Sequence, residues 1–175
     1  MDTFRTVLTL LAQYKWLVYR MDVKSTFLNG NLEEEAYVQQ PQVYEVLGQE
    51  DKVYILKKTL YGLKKAPRAW YSHIDSYLTQ NGFQRSENEP TLYIKSNHQG
   101  NVLIVCLYVD DLIFIGDFGI EEFKTVMKDE FEMTDLGLMR YFLGIEVHQS
   151  KTDIFISQSK YVHEILKRFN MMNSK

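Results

Sequence analysis

The sequence predicts an α+β fold, an antiparallel sheet with helices packed on one face, and three observations carry that expectation. The chain has 175 residues, 45% of them apolar, enough to bury a sizeable core, and by size residues 1–175 make one domain, or one domain and part of a second. Segments with helical apolar spacing are interspersed with short β-branched and aromatic runs. Two of those runs, residues 102–109 (VLIVCLYV) and 112–115 (LIFI), are separated only by Asp110-Asp111, which reads as a tight hairpin.

Taken in order, Phe4, Val7, Leu8 and Leu11 keep helical spacing and predict an amphipathic helix over residues 3–13. Residues 16–23 (WLVYRMDV) have the content of a strand, closed by an Asn29-Gly30 turn. Residues 33–51 are acidic and irregular, with Glu33-Glu34-Glu35 as a solvated helix start, and residues 53–57 form a short strand. Pro67 suits the first turn of a helix that carries Trp70, Ile74, Tyr77 and Leu78 inward. Asn81-Gly82 ends it, since both residues tolerate left-handed backbone. Ile120, Phe123, Met127 and Phe131 mark another helix. Residues 141–147 and 154–157 read as strands, and Val162, Ile165, Leu166 and Phe169 as a closing helix.

Composition narrows the function classes. No stretch approaches the roughly 20 consecutive apolar residues of a membrane span. The first residues carry Asp2 and Arg5 and lack a small-residue cleavage site, so they do not read as a secretion signal. One cysteine, Cys106, excludes an internal disulfide framework and suits a reducing compartment. The four histidines lack ligand spacing. A net charge of −3 argues against a free-standing nucleic-acid binder.

The chemistry points to three carboxylates. Acidic residues are ordinary in turns, where Asp bonds its own backbone. Around Asp110 and Asp111, however, both flanking strands are apolar, which places the tip near the core, where like charges repel and desolvation is costly. A divalent cation offsets both effects, and Mg²⁺ is commonly held by one or two carboxylates together with substrate phosphates. Asp22 ends a further apolar run, WLVYRM, and precedes Val23. If that strand neighbours the hairpin, Asp22, Asp110 and Asp111 converge on one edge of the sheet and could hold two metal ions.

Residues 21–30 (MDVKSTFLNG), 56–71 (LKKTLYGLKKAPRAWY), 108–116 (YVDDLIFIG) and 141–147 (YFLGIEV) resemble, in order and interval, the reverse transcriptase of copia-type (Ty1/copia) retrotransposons. FEMTDLG before the fourth segment and ISQSKYVHEILKRF after it fit as well, so the resemblance covers essentially the whole chain. It implies a right-hand polymerase palm with the start of a thumb from about residue 141, fingers and thumb being incomplete. Asp22 matches the first catalytic aspartate, and Val23 offers a backbone carbonyl to the metal. Asp110 and Asp111 match the YxDD pair, with Asp111 the less direct ligand. The implied cofactors are two Mg²⁺ ions, with Mn²⁺ as a substitute. The implied reaction is attack of a primer 3′-hydroxyl on the α-phosphate of a deoxynucleoside triphosphate.

The same resemblance assigns nucleotide contacts to Phe27, Tyr61 and Gly62. Phe27 falls where an aromatic gate leaves no room for a 2′-hydroxyl; by composition alone it would be ordinary core. Tyr61 stands where retroviral enzymes carry glutamine. Lys64, Lys65, Pro67 and Arg68 would meet template or primer, as would Tyr108 and Val109 of YVDD. Leu143 and Gly144 match a turn that grips the primer end, or else form a strand with a glycine bulge. Lys52, Lys57, Lys58, Lys64, Lys65 and Arg68 make the one dense basic stretch, a phosphate-tracking surface that answers the objection from net charge.

The implied partners are an RNA or DNA template with its primer, a deoxynucleotide, and the remaining Pol segments (fingers, thumb, ribonuclease H), with no membrane. The expected location is intracellular, in cytoplasmic particles. The competing reading is a truncated, non-catalytic palm remnant that at most binds nucleic acid. A nucleotidyl cyclase on the same kind of palm leaves Phe27 and YGLKKAPRAW unexplained.

Overall fold

Apolar periodicity and β-branched runs become, in chain order, α1 (Asp2–Tyr14), β1 (Tyr19–Val23), β2 (Tyr37–Gln39), β3 (Val53–Ile55), α2 (Ala66–Gln80), β4 (Gln84–Arg85) and β5 (Leu92–Ser96). They continue with β6 (Val102–Tyr108), β7 (Asp111–Gly116), α3 (Ile120–Phe131), β8 (Met133–Leu138), β9 (Tyr141–Phe142), β10 (Ile145–Gln149), β11 (Ile154–Ser157) and α4 (Ser159–Arg168). The computed structural model describes residues 2–32, 34–150 and 153–172. The chain forms two compact units, Met1–Val23 with Gln84–Lys175, and Lys24–Phe83.

The first unit is built on a six-stranded sheet of order β4-β5-β6-β7-β1-β8, antiparallel throughout. Side chains alternate across a strand, so Ile104, Cys106, Ile113 and Ile115 share one face. They cluster with Phe4, Val7, Leu8 and Leu11 of α1. On the opposite face Phe114 stacks on Tyr19 (5.6 Å between centroids) and meets Phe123 of α3 edge-on (5.1 Å). The sheet of this unit therefore carries a helix on each face, which corrects the expectation of helices on one face. The physical reason is that β6 and β7 are apolar at nearly every position, and a strand apolar on both sides must be covered on both.

A smaller sheet, β11-β10-β9, completes this unit. Its Gln149 amide accepts from the Val18 N–H (2.8 Å) and donates to the carbonyls of Val18 (3.0 Å) and Met139 (2.8 Å), binding β10 to the approach of β1. In α4, Val162 is exposed and Ile165 and Leu166 are half-buried, and Phe169, just past the helix end, is exposed.

In the second unit α2 buries Trp70, Ile74 and Leu78, while Tyr77 is half-buried; Pro67 lies in the first turn and Asn81 caps the end. β2 lies within the segment read as irregular and pairs antiparallel with β3, the short strand expected over residues 53–57. Glu34 and Glu35 are not helical, and Glu33 lies outside the described residues. The Thr59 hydroxyl donates to the carbonyls of Phe27 and Gly30, tying the loop after β3 to the turn after residue 28.

Candidate active site

Strands β1 and β7 are neighbours, and their register sets Asp22 directly opposite Asp111 and Arg20 opposite Ile113. Tyr108 pairs with Asp111 across the hairpin. Period-two alternation then gathers Arg20, Asp22, Asp111 and Tyr108 on one face at the end of the sheet. The hairpin loop is Val109-Asp110, one residue earlier than the sequence suggests, because Asp111 already pairs as the first residue of β7. Val109 has φ +55°, a strained conformation for a β-branched residue and of the kind concentrated at functional sites. The Val23 amide donates to the Asp110 carbonyl (2.8 Å), which ties the loop to the end of β1.

The electrostatics follow from depth. Asp111 is 9% exposed, and Asp110 is open to solvent. Burial pushes the Asp111 carboxyl above its ordinary value; Arg20 opposes this, and the charges of Asp110 and Asp22 add to the rise. Arg20 grips Asp111 with a side-on fork, Nε donating to Oδ1 (2.6 Å) and Nη2 to Oδ2 (3.0 Å). Its Nη1 donates to the Tyr141 carbonyl (3.1 Å), and the guanidinium lies 5.9 Å from the centre of the Phe142 ring.

Two carboxylates fit a hard, oxygen-seeking cation. Neither Asp22 nor Asp110 has a hydrogen-bonded or ion-paired side-chain partner among the described residues. One or two carboxylates are the usual protein share of a Mg²⁺ site that also takes substrate phosphates. Asp111 has both oxygens on Arg20, and among the described residues no group of three His, Cys, Asp or Glu is placed to hold a metal ion.

Tyr108 is exposed, and its ring meets Phe142 edge-on at 5.5 Å. The segment read as one strand over residues 141–147 is instead a hairpin, β9 and β10 joined at Leu143-Gly144 with φ +47° and +81°. Paired positive φ values are the signature of a tight two-residue turn.

In the second unit Phe27 is half-buried and meets the exposed Tyr61 ring edge-on at 5.2 Å. Gly62 (φ +88°) has open space where a Cβ would stand, so its need is conformational rather than close approach. Lys64, Pro67 and Arg68 are exposed, whereas the Lys65 ammonium pairs with Glu34 and holds that carboxyl below its ordinary value. Glu34, Lys65, Arg68, Ser72 and His73 line a groove of about 370 Å³ along α2.

Arg20 is the site residue that sequence reasoning missed. The signal was available: position 20 lies two residues before Asp22 on the same strand, so its side chain shares Asp22's face.

Fold and site together define an α+β domain with an acidic centre at a sheet end, an arrangement suited to metal-dependent phosphoryl transfer. The chain belongs to the reverse transcriptase (RNA-dependent DNA polymerase) family, whose profile matches residues 1–175. It is similar to the retrovirus-related Pol polyprotein from transposon TNT 1-94 of Nicotiana tabacum, at 40% identity over 100% of this chain and 14% of that protein. The corresponding polyprotein of transposon RE1 from Arabidopsis thaliana is 32% identical over 99% of the chain and 12% of its own length. The Ty1-NL2 Gag-Pol polyprotein of Saccharomyces cerevisiae is 28% identical over 95% and 10%. These are Pol polyproteins of copia-type transposons, and the chain spans about a tenth to a seventh of their length. No solved structure matches it. Among the described residues no helix is long and apolar enough to cross a membrane.

Proposed function

We propose that this chain is the RNA- and DNA-templated DNA polymerase domain of a copia-type element, a palm with the start of a thumb from about residue 141. The observation that carries the reading is the register of Asp22 opposite Asp111, with Asp110 tied to the end of β1 by the Val23 amide. Asp22 and Asp110, with the Val23 carbonyl, would hold divalent Mg²⁺ or Mn²⁺. When bound, two such ions would activate the primer 3′-hydroxyl and stabilise charge on the α-phosphate and departing pyrophosphate. The chain's own contribution is positioning: the β1–β7 pairing sets the carboxylates in place before substrate arrives, and no covalent intermediate with the protein is involved.

Phe27, packed edge-on against Tyr61, would select deoxyribose by excluding a 2′-hydroxyl, and Gly62 would shape the same loop. Lys64, Lys65, Pro67 and Arg68 would track template or primer phosphates. Tyr108, Val109 and the Leu143-Gly144 turn would meet the primer end. The partners on this reading are template, primer, deoxynucleotide and the other Pol segments, within intracellular, cytoplasmic particles.

The second reading, a non-catalytic palm that at most binds nucleic acid, draws on the engagement of Asp111 by Arg20. Primer extension on poly(rA)/oligo(dT) with dTTP and Mg²⁺ or Mn²⁺ separates the two. Extension should occur and fall by about 10²-fold or more in Asp110→Asn. No extension from a folded chain, or extension indifferent to Asp110→Asn, refutes the polymerase reading.

A further inference from the structure

Arg20 is fixed on three sides. Its fork occupies both Asp111 oxygens, its third nitrogen donates to the Tyr141 carbonyl at 3.1 Å, and its central carbon lies 5.9 Å from the centre of the Phe142 ring. A guanidinium so held is preorganised, and the ion pair is mostly buried, with side-chain exposures of 26% and 12%. Asp22 and Asp110 have no such partner among the described residues. Three carboxylates close together would repel, and Arg20 relieves this at one of them only.

We propose that Arg20 is a positioning residue that withholds Asp111 from metal coordination and fastens it to the β9–β10 hairpin, leaving Asp22 and Asp110 as the metal-binding pair. The proposal rests on reading Asp22 and Asp110 as ligands. It divides the acidic centre into two parts. Asp22 and Asp110 meet the cation, while Asp111 and Arg20 form a neutral strut from the end of β7 to the hairpin whose Leu143-Gly144 turn would meet the primer. Metal affinity is thereby kept moderate, since each added carboxylate ligand tightens a hard-cation site.

The test is direct Mn²⁺ binding by titration calorimetry, with electron paramagnetic resonance of free Mn²⁺ as a second readout, on the 175-residue chain. Arg20→Gln should tighten Mn²⁺ roughly tenfold by freeing a third carboxylate. Asp111→Asn alone, which leaves Arg20 without its counter-charge, should weaken Mn²⁺ binding by clearly less than Asp22→Asn does, and adding Arg20→Gln on that background should give no gain beyond restoring the parent affinity. A gain over the parent that persists in the double variant would be a through-space charge effect and would overturn the proposal, as would no gain at all in Arg20→Gln. Asp111→Asn weakening Mn²⁺ binding as much as Asp22→Asn does would overturn it too.

Thermal melts establish that each variant is folded. Should Arg20→Gln fail that control, Arg20→Lys, which keeps the charge but not the fork, should tighten binding by about threefold. Mn²⁺ binding indifferent to Asp22→Asn defeats the polymerase reading itself. A loss of binding in Asp22→Asn with no Arg20 effect defeats this inference alone.

Discussion

Cys106 shows what a single position on β6 does when its surroundings are apolar. It packs in the cluster under α1 with Ile104, Ile113 and Ile115, and burial pushes its thiol up to about 11, helped by the charge of Glu89 and opposed by a hydrogen bond with Thr91. Its ordinary value is 9.0, so between these limits the folded chain keeps a proton that the unfolded chain loses. The unfolded state therefore gains as pH rises. Stability from this group is complete below pH 9.0 and is lost through about pH 11, by up to about 3 kcal/mol. Urea midpoints measured from pH 8 to pH 11 should fall more steeply for the parent than for Cys106→Ala, which is offset downward by its cavity but lacks this slope. Parallel curves would show that the thiol titrates as if exposed.

At the scale of elements, the turn after residue 28 packs closely against α2. A Cβ at Gly30 would lie 2.9 Å from the Ala69 Cβ, 2.9 Å from the Thr59 hydroxyl and 3.0 Å from the Trp70 amide nitrogen. Nothing there is the free end of a flexible side chain. Gly30→Ala should cost about 1–3 kcal/mol by overpacking, read as a lower urea midpoint with unchanged slope. An unchanged midpoint would mean that the turn and α2 separate without cost.

The same elements show what was legible in the sequence. Helices α1, α2 and α3 and the β6–β7 hairpin follow from periodicity and apolar runs, because burial writes those patterns directly. Strands β5 and β8 were not read: LYIKS ends in polar residues and MTDLGL carries Asp135 and Gly137, residues depleted from strands, so their pairing with β6 and β1 decides their conformation. The β9–β10 hairpin was hidden from periodicity for a related reason, and only the resemblance offered a turn at Leu143-Gly144. Leucine at φ +47° is a poor turn residue, and YFLGIEV therefore reads as continuous strand. In the candidate site the three aspartates were legible from motif and strand ends, whereas the bidentate grip on Asp111 needed the register of β1 against β7.

For the whole molecule the question is how a chain of net charge −3, with 20 basic and 23 acidic side chains, would hold a polyanion. Its long-range field would repel nucleic acid, so the proposed binding would have to come from local charge. The basic stretch supplies it unevenly: Lys57, Lys58, Lys64 and Arg68 are exposed, while Lys65 is already paired with Glu34. About three or four phosphate contacts, each releasing a fraction of a counterion, give a slope near −3 for log K against log salt. Fluorescence anisotropy of a labelled primer–template between 50 and 300 mM salt should show that slope. Lys64→Ala and Arg68→Ala should each reduce it by roughly one unit, and Lys65→Ala by less because its charge is partly neutralised. If all three substitutions change the slope equally, the Lys65–Glu34 pair opens at no cost when phosphate arrives. A slope near zero would mean that this stretch is an ordinary solvated face, and that the grip on template comes from elsewhere.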